Sequence, residues 1–248
     1  MPRLDLNCDL GEGAGHDAEL MPLVTSANIA CGAHAGDEAT MRATLTLAKT
    51  HRVSIGAHPG YTDREYFGRR ELPLELEEVQ ATVLAQIRLL QRLARETGLR
   101  VTHVKPHGAL YNLAARNTLV AEAVARAVYE ADPRLVLFAL AGSASLAAGR
   151  AGGLAVAAEA FADRTYQADG SLTPRTRLNA LLHDEAACVG QVLRLVQEGR
   201  VRATDGTDVA LVADTLCLHG DGAHAVAFAR RLRADLAAAG VEIKPFTT

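Results

Sequence analysis

The chain has 248 residues, a formal net charge of −3 and a hydrophobic fraction of 49%. These values are typical of a globular protein, and we expect one α/β domain over residues 1–248. No block of basic residues indicates binding to nucleic acid. No apolar run reaches the roughly 18 residues of a membrane-spanning helix, so no membrane partner is expected.

The N-terminus lacks a charged segment followed by an apolar one, which argues against a secretory signal. The four cysteines, Cys8, Cys31, Cys188 and Cys217, are scattered along the chain and form no Cys-x-x-Cys pair. This distribution favours reduced, buried thiols over a disulfide framework or a zinc site. We therefore predict a cytoplasmic protein.

Short apolar runs alternate with segments of helical periodicity along most of the chain. The predicted strands cover residues 4–10, 27–31, 53–57, 101–105, 135–141, 154–159 and 210–218. The predicted helices cover residues 37–48, 79–94, 119–131, 143–150, 183–198 and 221–239. The small and β-branched residues of the runs are typical of parallel strands covered on both faces.

This alternation predicts an irregular, seven-stranded parallel (β/α) barrel, with an open doubly wound sheet as the alternative. Two stretches, residues 60–74 and 160–178, show no periodicity and are long for connections. Loops of that length in a compact domain are often functional.

Polar residues recur at or just after the carboxyl ends of the predicted strands. In parallel α/β folds the loops that follow the strands converge there and bind ligands. Each position alone is a weak signal, and their repetition is the strong one. In chain order they are Asn7, Asp9, Glu12, His34, Asp37, His58, Lys105, His107, Glu159, Asp163, Arg164, His219 and Asp221.

Four of these residues are histidines with glycine or proline nearby: His34, His58, His107 and His219. One such histidine is more often a packing residue, but four in equivalent places favour a ligand site. His103 lies deeper in its predicted strand, and we expect it to be structural.

Two chemistries are compatible with this set, and the first is a metal centre. Asp9, His34 and His58 would supply one oxygen and two nitrogen ligands and leave positions for water.

The second chemistry needs no metal. Asp9, Glu12 and His58 would perform acid–base catalysis, while Lys105 and His107 would stabilise an oxyanion. For Lys105 a buried ion pair with a carboxylate such as Glu159 or Asp9 is an equally good interpretation.

The two long loops add arginines, which recognise carboxylate or phosphate groups. Arg69 and Arg70 lie in the first loop, and Arg164, Arg175 and Arg177 lie in or near the second. For any one of them, a solvated surface position is the simpler interpretation. The candidate substrate-binding residues are Asn7, Arg69, Arg70, Glu159, Arg164 and His219.

Seven segments, taken together, closely resemble the LamB/YcsF family. They are DLNCDLGEG, SANIACGAHAGD, GAHPGYTD, FGRR, VKPHGALYN, EAFADRTYQADGSLTPR and CLHGD. They occur in order from residue 4 to beyond residue 221, and motifs of this length are specific. Members of that family are assigned as the A subunit of prokaryotic 5-oxoprolinase.

The resemblance implies a fold similar to the seven-stranded barrel of polysaccharide deacetylases and related glycoside hydrolases. It implies ATP-dependent opening of the 5-oxo-L-proline (pyroglutamate) lactam to L-glutamate, with Mg²⁺ accompanying ATP and with partner subunits B and C. In the deacetylases one Asp and two His bind a metal, and Asp9, His34 and His58 are the positions that match.

Two other functions stay open on the sequence. The chain could be a self-sufficient, metal-dependent deacetylase or amidohydrolase that acts on a carbohydrate, or a non-catalytic subunit that binds a small molecule. The crowding of titratable groups argues against the second of these. The oligomeric state is not fixed by the sequence, and a homo-oligomer is compatible with it.

Overall fold

The computed structural model describes residues 2–218 and 225–246, and its centre is a ring of parallel strands. The strands in the described residues are β1 (Arg3–Leu10), β2 (Ser26–Ala30), β3 (Ser54–His58), β4 (Val101–Val104), β5 (Val136–Leu140), β6 (Ala155–Phe161), β7 (Arg200–Arg202), β8 (Asp208–Ala210), β9 (Thr215–Leu218) and β10 (Glu242–Ile243). Strands β1 to β6 pair in order, β6 pairs with β9, and β9 pairs back with β1.

This pairing closes a seven-stranded parallel barrel and confirms the predicted fold. The open doubly wound sheet is excluded because β9 is hydrogen-bonded on both sides, to β6 and to β1. Strand β10 adds to the start of β1 outside the ring, and β7 and β8 form a separate antiparallel pair.

Helices surround the barrel and cover the outer face of its strands. They are α1 (Asp17–Leu20), α2 (Glu38–His51), α3 (Leu76–Glu96), α4 (Gly108–Arg116), α5 (Thr118–Ala131), α6 (Ala144–Ala151), α7 (Glu185–Glu198) and α8 (Ala225–Ala238). The predicted apolar spacing of α3 buries Val79, Val83, Ile87 and Leu90 completely or almost so. Each such side chain contributes about 1.5–3 kcal/mol on burial. None of the described helices has the length and apolar character that crossing a membrane requires.

Several element boundaries differ from the prediction, and three of the differences bear on the site. The predicted strand 210–218 is two strands, because β8 ends at Ala210 in the separate pair and β9 begins at Thr215. Helix α4 directly follows the fourth strand and was not predicted. The sixth strand runs to Phe161 rather than ending at Glu159, so Glu159 lies inside the barrel rather than at the end of the strand. Residues 221–224 of the last predicted helix lie outside the described residues.

Candidate active site

A cavity of about 870 Å³ lies over the carboxyl ends of the barrel strands. Of the predicted catalytic residues, Asp9, Glu12, His58, Lys105 and His107 line it. The barrel register accounts for this convergence, since β1, β3 and β4 end on the same side of a parallel ring.

Glu12 and three histidines form a compact cluster at the floor of the cavity. One carboxylate oxygen, Oε1 of Glu12, lies 3.2 Å from His34 Nε2, 3.7 Å from His58 Nε2 and 3.3 Å from His107 Nδ1. His34 and His107 stack face to face at 3.8 Å, and all three rings are almost fully buried. We call Glu12, His34, His58 and His107 the histidine cluster.

The hydrogen bonds of His58 and His107 fix which ring nitrogens carry protons. His58 Nδ1 donates to the Lys105 carbonyl at 2.7 Å, and His107 Nε2 donates to the Phe67 carbonyl at 2.9 Å. The remaining nitrogens, His58 Nε2 and His107 Nδ1, face each other at 2.9 Å. Two neutral rings would bring two lone pairs together there. The contact therefore requires a shared proton or a bound cation.

The charges around the cluster place the proton on His58. Burial disfavours the charged ring, but the carboxylates of Asp9 and Glu12 outweigh it and raise the pKa of His58. Burial, and then the neighbouring His58 and His34, lower the pKa of His107 far below its usual value. His58 is thus the proton donor of this pair, and His107 is the acceptor.

The same cluster has a donor set that suits a divalent cation. One ligand atom from each of Glu12, His34, His58 and His107 lies within 4.8 Å of the others. Three imidazoles and a carboxylate are ligands that zinc and related metals accept. This group contains His34 and His58 of the predicted trio, but has Glu12 and His107 in place of Asp9.

His34 turns its Nε2 toward the cluster, 3.2 Å from Glu12 Oε1. Its other nitrogen, Nδ1, is buried beside Gly60 and has no hydrogen-bond partner among the described residues, and burial lowers the pKa of the ring. Nε2 is thus the His34 atom that would bind a cation in the cluster.

The N–H groups of the Lys105 ammonium are all directed to acceptors inside the barrel. Its Nζ lies 3.0 Å from Asp9 Oδ1, 2.9 Å from Glu159 Oε1, 3.2 Å from Asn7 Oδ1 and 3.0 Å from Cys217 Sγ. Burial opposes its charge, but Asp9 and then Cys217 and Glu159 raise the pKa well above the usual value. An ammonium has three N–H groups, and four acceptors already surround this one. The buried ion pair is therefore the role that the structure shows.

The predicted oxyanion donors are consequently not available in this arrangement. Lys105 has no N–H left for a ligand, and the donor of His107 is used by the Phe67 carbonyl. Asp9, Glu12 and His58 remain the groups that face the cavity with acid–base capacity.

A layer of buried polar side chains below the cluster holds it in place. Asn28 donates to Asn7 Oδ1 at 2.7 Å and to Asp9 Oδ1 at 2.8 Å. His103 Nε2 lies 2.9 Å from Asn28 Oδ1, and burial lowers its pKa to about 3. His103 is thus neutral and lies in the strand interior, as predicted. Asn7, a predicted substrate-binding residue, donates to Glu159 Oε1 and so belongs to the same buried layer.

Two glycines allow the histidines to pack this closely. A Cβ at Gly60 would lie 2.9 Å from His34 Nδ1, and one at Gly68 would lie 2.8 Å from His34 Cβ. Phe67 and Gly68 both adopt positive φ, of 57° and 64°. A bulky residue in that region is rare and is held there by its surroundings, often at functional sites. The small residues of the first long loop thus shape the cluster.

The predicted arginines lie in different environments. Arg70 forms a two-pronged contact with Asp63 and lies over the Tyr66 ring, and it is not among the cavity-lining residues. Arg69 and Arg164 line the cavity. Arg164 is 4% exposed and is therefore not a solvated surface arginine. The predicted residues His219 and Asp221 lie outside the described residues.

The sequence prediction did not single out several residues of this site. Asn28 lies in an otherwise apolar predicted strand, where the pattern indicates only a strand residue. Tyr111 lies on α4, a helix that the sequence did not predict. Ser143 and Thr173 line the cavity with buried hydroxyls that have no partner. Their polar character alone carried no signal, because serine and threonine are common in loops.

Comparison with known proteins gives consistent results over the whole chain. Residues 4–248 match the LamB/YcsF family. A protein of Bacillus licheniformis, named as the A subunit of 5-oxoprolinase, is 51% identical over 253 residues, which cover 100% of both chains. A protein of the same name from Tolumonas auensis is 53% identical over 249 residues, covering 98% of this chain and 99% of that one.

Solved structures share the fold. The crystal structure of a lactam utilization protein from Thermus thermophilus matches with a TM-score of 0.92 and 46% identity, over 98% of this chain and 100% of that chain. A peptidoglycan deacetylase from Bacillus subtilis matches with a TM-score of 0.50 and 12% identity, over 98% of this chain and 87% of that one. At that identity the second match shows a common barrel and nothing about activity.

Proposed function

The chain belongs to the LamB/YcsF family, and from this we propose that it is the A subunit of a 5-oxoprolinase. In this proposal it hydrolyses the lactam bond of 5-oxo-L-proline to give L-glutamate. The observation that carries the proposal is the contact of His58 Nε2 with the carboxylates of Asp9, at 3.4 Å, and Glu12, at 3.7 Å, at the cavity floor.

These three groups can perform the proton transfers that lactam opening requires. Water must lose a proton as it attacks the carbonyl carbon, and the ring nitrogen must gain one as the C–N bond breaks. A carboxylate, Glu12 or Asp9, accepts the proton of the water. The proton on His58 Nε2 lies 3.4 Å from Asp9 Oδ2 and is donated to His107 Nδ1 at 2.9 Å in this structure; in the proposal it passes to the lactam nitrogen when the substrate replaces that contact. Charge and protons balance over the step.

The reaction is expected to depend on ATP and on partner subunits B and C. A five-membered lactam is a stabilised amide, and glutamate tends to close into it, so hydrolysis benefits from coupling to ATP with its Mg²⁺. The sequence contains no standard phosphate-binding loop. We therefore propose that the partners contribute to nucleotide binding. The free, buried thiols suit a reducing compartment, and the proposal places the complex in the cytoplasm.

The test is the His58→Ala variant in a complex reconstituted with both partners. Glutamate release should fall at least 100-fold, the lower range for loss of a general acid. His51→Ala, an exposed histidine of α2, is the matched control and should retain full turnover. Near-normal turnover by His58→Ala would contradict the assignment, and would favour a subunit that binds the substrate without reacting with it.

A second candidate function follows from the donor set of the histidine cluster. We propose that Glu12, His34, His58 and His107 can hold a divalent cation, which would polarise a carbonyl or activate water. A chain of this kind could act alone as a carbohydrate deacetylase. Elemental analysis of the purified chain tests this directly, with His107→Ala as the variant that should lose the metal. Deacetylation of an acetylated sugar without ATP or partners would replace the lactamase proposal.

A further inference from the structure

One part of the cavity wall carries polar groups that the proposed acid–base chemistry does not use. It is formed by the loops after β5 and β6, which contain Ser143 in one and Arg164 and Thr173 in the other. The two strands are neighbours in the barrel, with Leu140 opposite Glu159. The loops therefore start side by side, and the Ala141 N–H donates to the Glu159 carbonyl at 2.9 Å.

Thr173 has a buried hydroxyl that finds no hydrogen-bond partner within residues 2–218 and 225–246. Its side chain is 4% exposed on the cavity wall, and its Oγ1 is unpaired. The backbone is fully used, since the N–H donates to Thr165 and the carbonyl accepts from Arg164 Nη2 at 2.7 Å. Buried hydroxyls are nearly always paired, so this one indicates a group that is supplied by a ligand.

Arg164 is a buried cation that contacts only carbonyl groups among the described residues. Nη2 donates to Thr173 and Nε donates to Ala180 at 3.3 Å, and no described carboxylate forms an ion pair with it. Burial, and then the charge of Arg175, lower its pKa to about 10, while the charge of Asp163 opposes this. The guanidinium is still charged at neutral pH. A buried charge without a close counter-ion is unfavourable, and an anion in the cavity would remove that penalty.

Ser143 adds a third donor from the neighbouring loop. It occupies the N-cap position of α6, but its side chain makes no capping hydrogen bond and its Oγ has no partner. Serine at this position normally accepts from the first turn of the helix. Here the hydroxyl is left free on the cavity wall, beside backbone N–H groups of a helix N-terminus, which favour negative charge.

We propose that Arg164, Thr173 and Ser143, with the N-terminus of α6, form a subsite for an oxyanion. The ligand group is a carboxylate or a phosphoryl group, because both present several oxygens to a guanidinium and hydroxyl donors. A bound carboxylate would be that of 5-oxoproline, and this version of the proposal rests on the proposed function. The phosphoryl group would come from a nucleotide or a phosphorylated substrate.

The size of the cavity permits either source. Cavities of roughly 300–1,000 Å³ hold drug-sized ligands, whereas 5-oxoproline has only about nine non-hydrogen atoms. The volume of about 870 Å³ therefore exceeds what the lactam alone fills.

The test is a calorimetric titration of the full chain, in wild-type form and as the Ser143→Ala/Thr173→Val double variant. The probes are 5-oxoproline, 2-pyrrolidinone, which is the same lactam without the carboxylate, and inorganic phosphate. Both replaced hydroxyls lack partners, so the variant should melt at the same temperature or higher. Thr46→Val, on the exposed face of α2, is the matched control and should bind every probe as the wild type does.

Binding of the preferred oxyanion should weaken by about 10- to 100-fold in the double variant, the usual effect of lost hydrogen bonds to a charged group. If the double variant binds 5-oxoproline more weakly but binds 2-pyrrolidinone as the wild type does, the subsite binds the substrate carboxylate. If only the binding of phosphate is weakened, the subsite binds a phosphoryl group. Equal binding of all probes by wild type and variant, or no binding of either anion by the wild type, overturns the proposal. These results do not depend on turnover, so failure of the His58→Ala test leaves them interpretable.

Discussion

Lys105→Met should destabilise the protein strongly, because it removes the positive charge that the fully buried carboxylate of Glu159 and the largely buried one of Asp9 share. The Lys105 ammonium lies 3.0 Å from Asp9 Oδ1 and 2.9 Å from Glu159 Oε1. At an effective dielectric constant of about 20, each attraction is about 5 kcal/mol. Desolvation of the ions offsets much of this in the native protein. Removal of one partner nevertheless typically costs about 3–5 kcal/mol, since the remaining charges stay buried.

Urea denaturation followed by circular dichroism at neutral pH measures this effect. Glu159→Gln should cost less than Lys105→Met, because Lys105 keeps Asp9 as its partner and the amide oxygen can still accept a hydrogen bond. The double variant should lose less than the sum of the two, by about 1–3 kcal/mol, since the groups are in contact. Lys49→Met, an exposed lysine that donates to the Thr97 carbonyl, should change stability by less than about 0.5 kcal/mol. A Lys105→Met protein as stable as the wild type, or strictly additive losses, would refute the buried-network account.

Two further perturbations test the packing around the site. Burial lowers the pKa of His103 from 6.5 to about 3. Between these two pH values the unfolded chain therefore binds more protons than the folded chain, and the free energy of unfolding falls as the pH falls from 6.5 toward 3. His103→Gln should therefore remove about 1.4 kcal/mol per pH unit from the slope of the free energy of unfolding against pH. Urea denaturation between about pH 6.5 and pH 4 measures this slope, and an unchanged slope would contradict the neutral, buried ring. Gly68→Ala should lower glutamate release and cost at least about 1 kcal/mol, because the added methyl meets His34 Cβ at 2.8 Å in a left-handed conformation. Gly190→Ala in α7, where the methyl meets nothing, is its control and should be neutral or stabilising, and equal behaviour of the two would dismiss the steric argument.

The barrel could be predicted from the sequence because its pattern is local. Strands buried on both faces give continuous apolar runs, and α3 shows its buried stripe at helical spacing. The boundary errors have an equally local cause. Residues 210–218 are apolar throughout most of their length, so the break between β8 and β9 has no periodicity signal.

The position of the site could also be predicted, because topology brings strand ends together. Asp9, His58 and His107 belong to distant parts of the chain, yet all three line one cavity. A parallel closed sheet makes this convergence unavoidable. The depth of Glu159 could not be predicted, because the strand is longer by two residues than its apolar run, and this places the side chain in the interior rather than at the rim.

The direction of each donor could not be predicted, because it depends on acceptors that only the folded barrel brings near. Lys105 meets Cys217 and Asp9, 112 and 96 residues away in the chain, and these contacts change it from a candidate oxyanion donor into a structural ion pair. The reverse holds for Thr173, which has no distinctive sequence context but keeps an unpaired hydroxyl on the cavity wall. A charged residue at a strand end is therefore available to a ligand only if its hydrogen bonds are not already satisfied within the protein. By that criterion the free donors of this cavity lie in the loops after β5 and β6, and the groups able to exchange protons lie on β1, in the loop that follows it, and on β3.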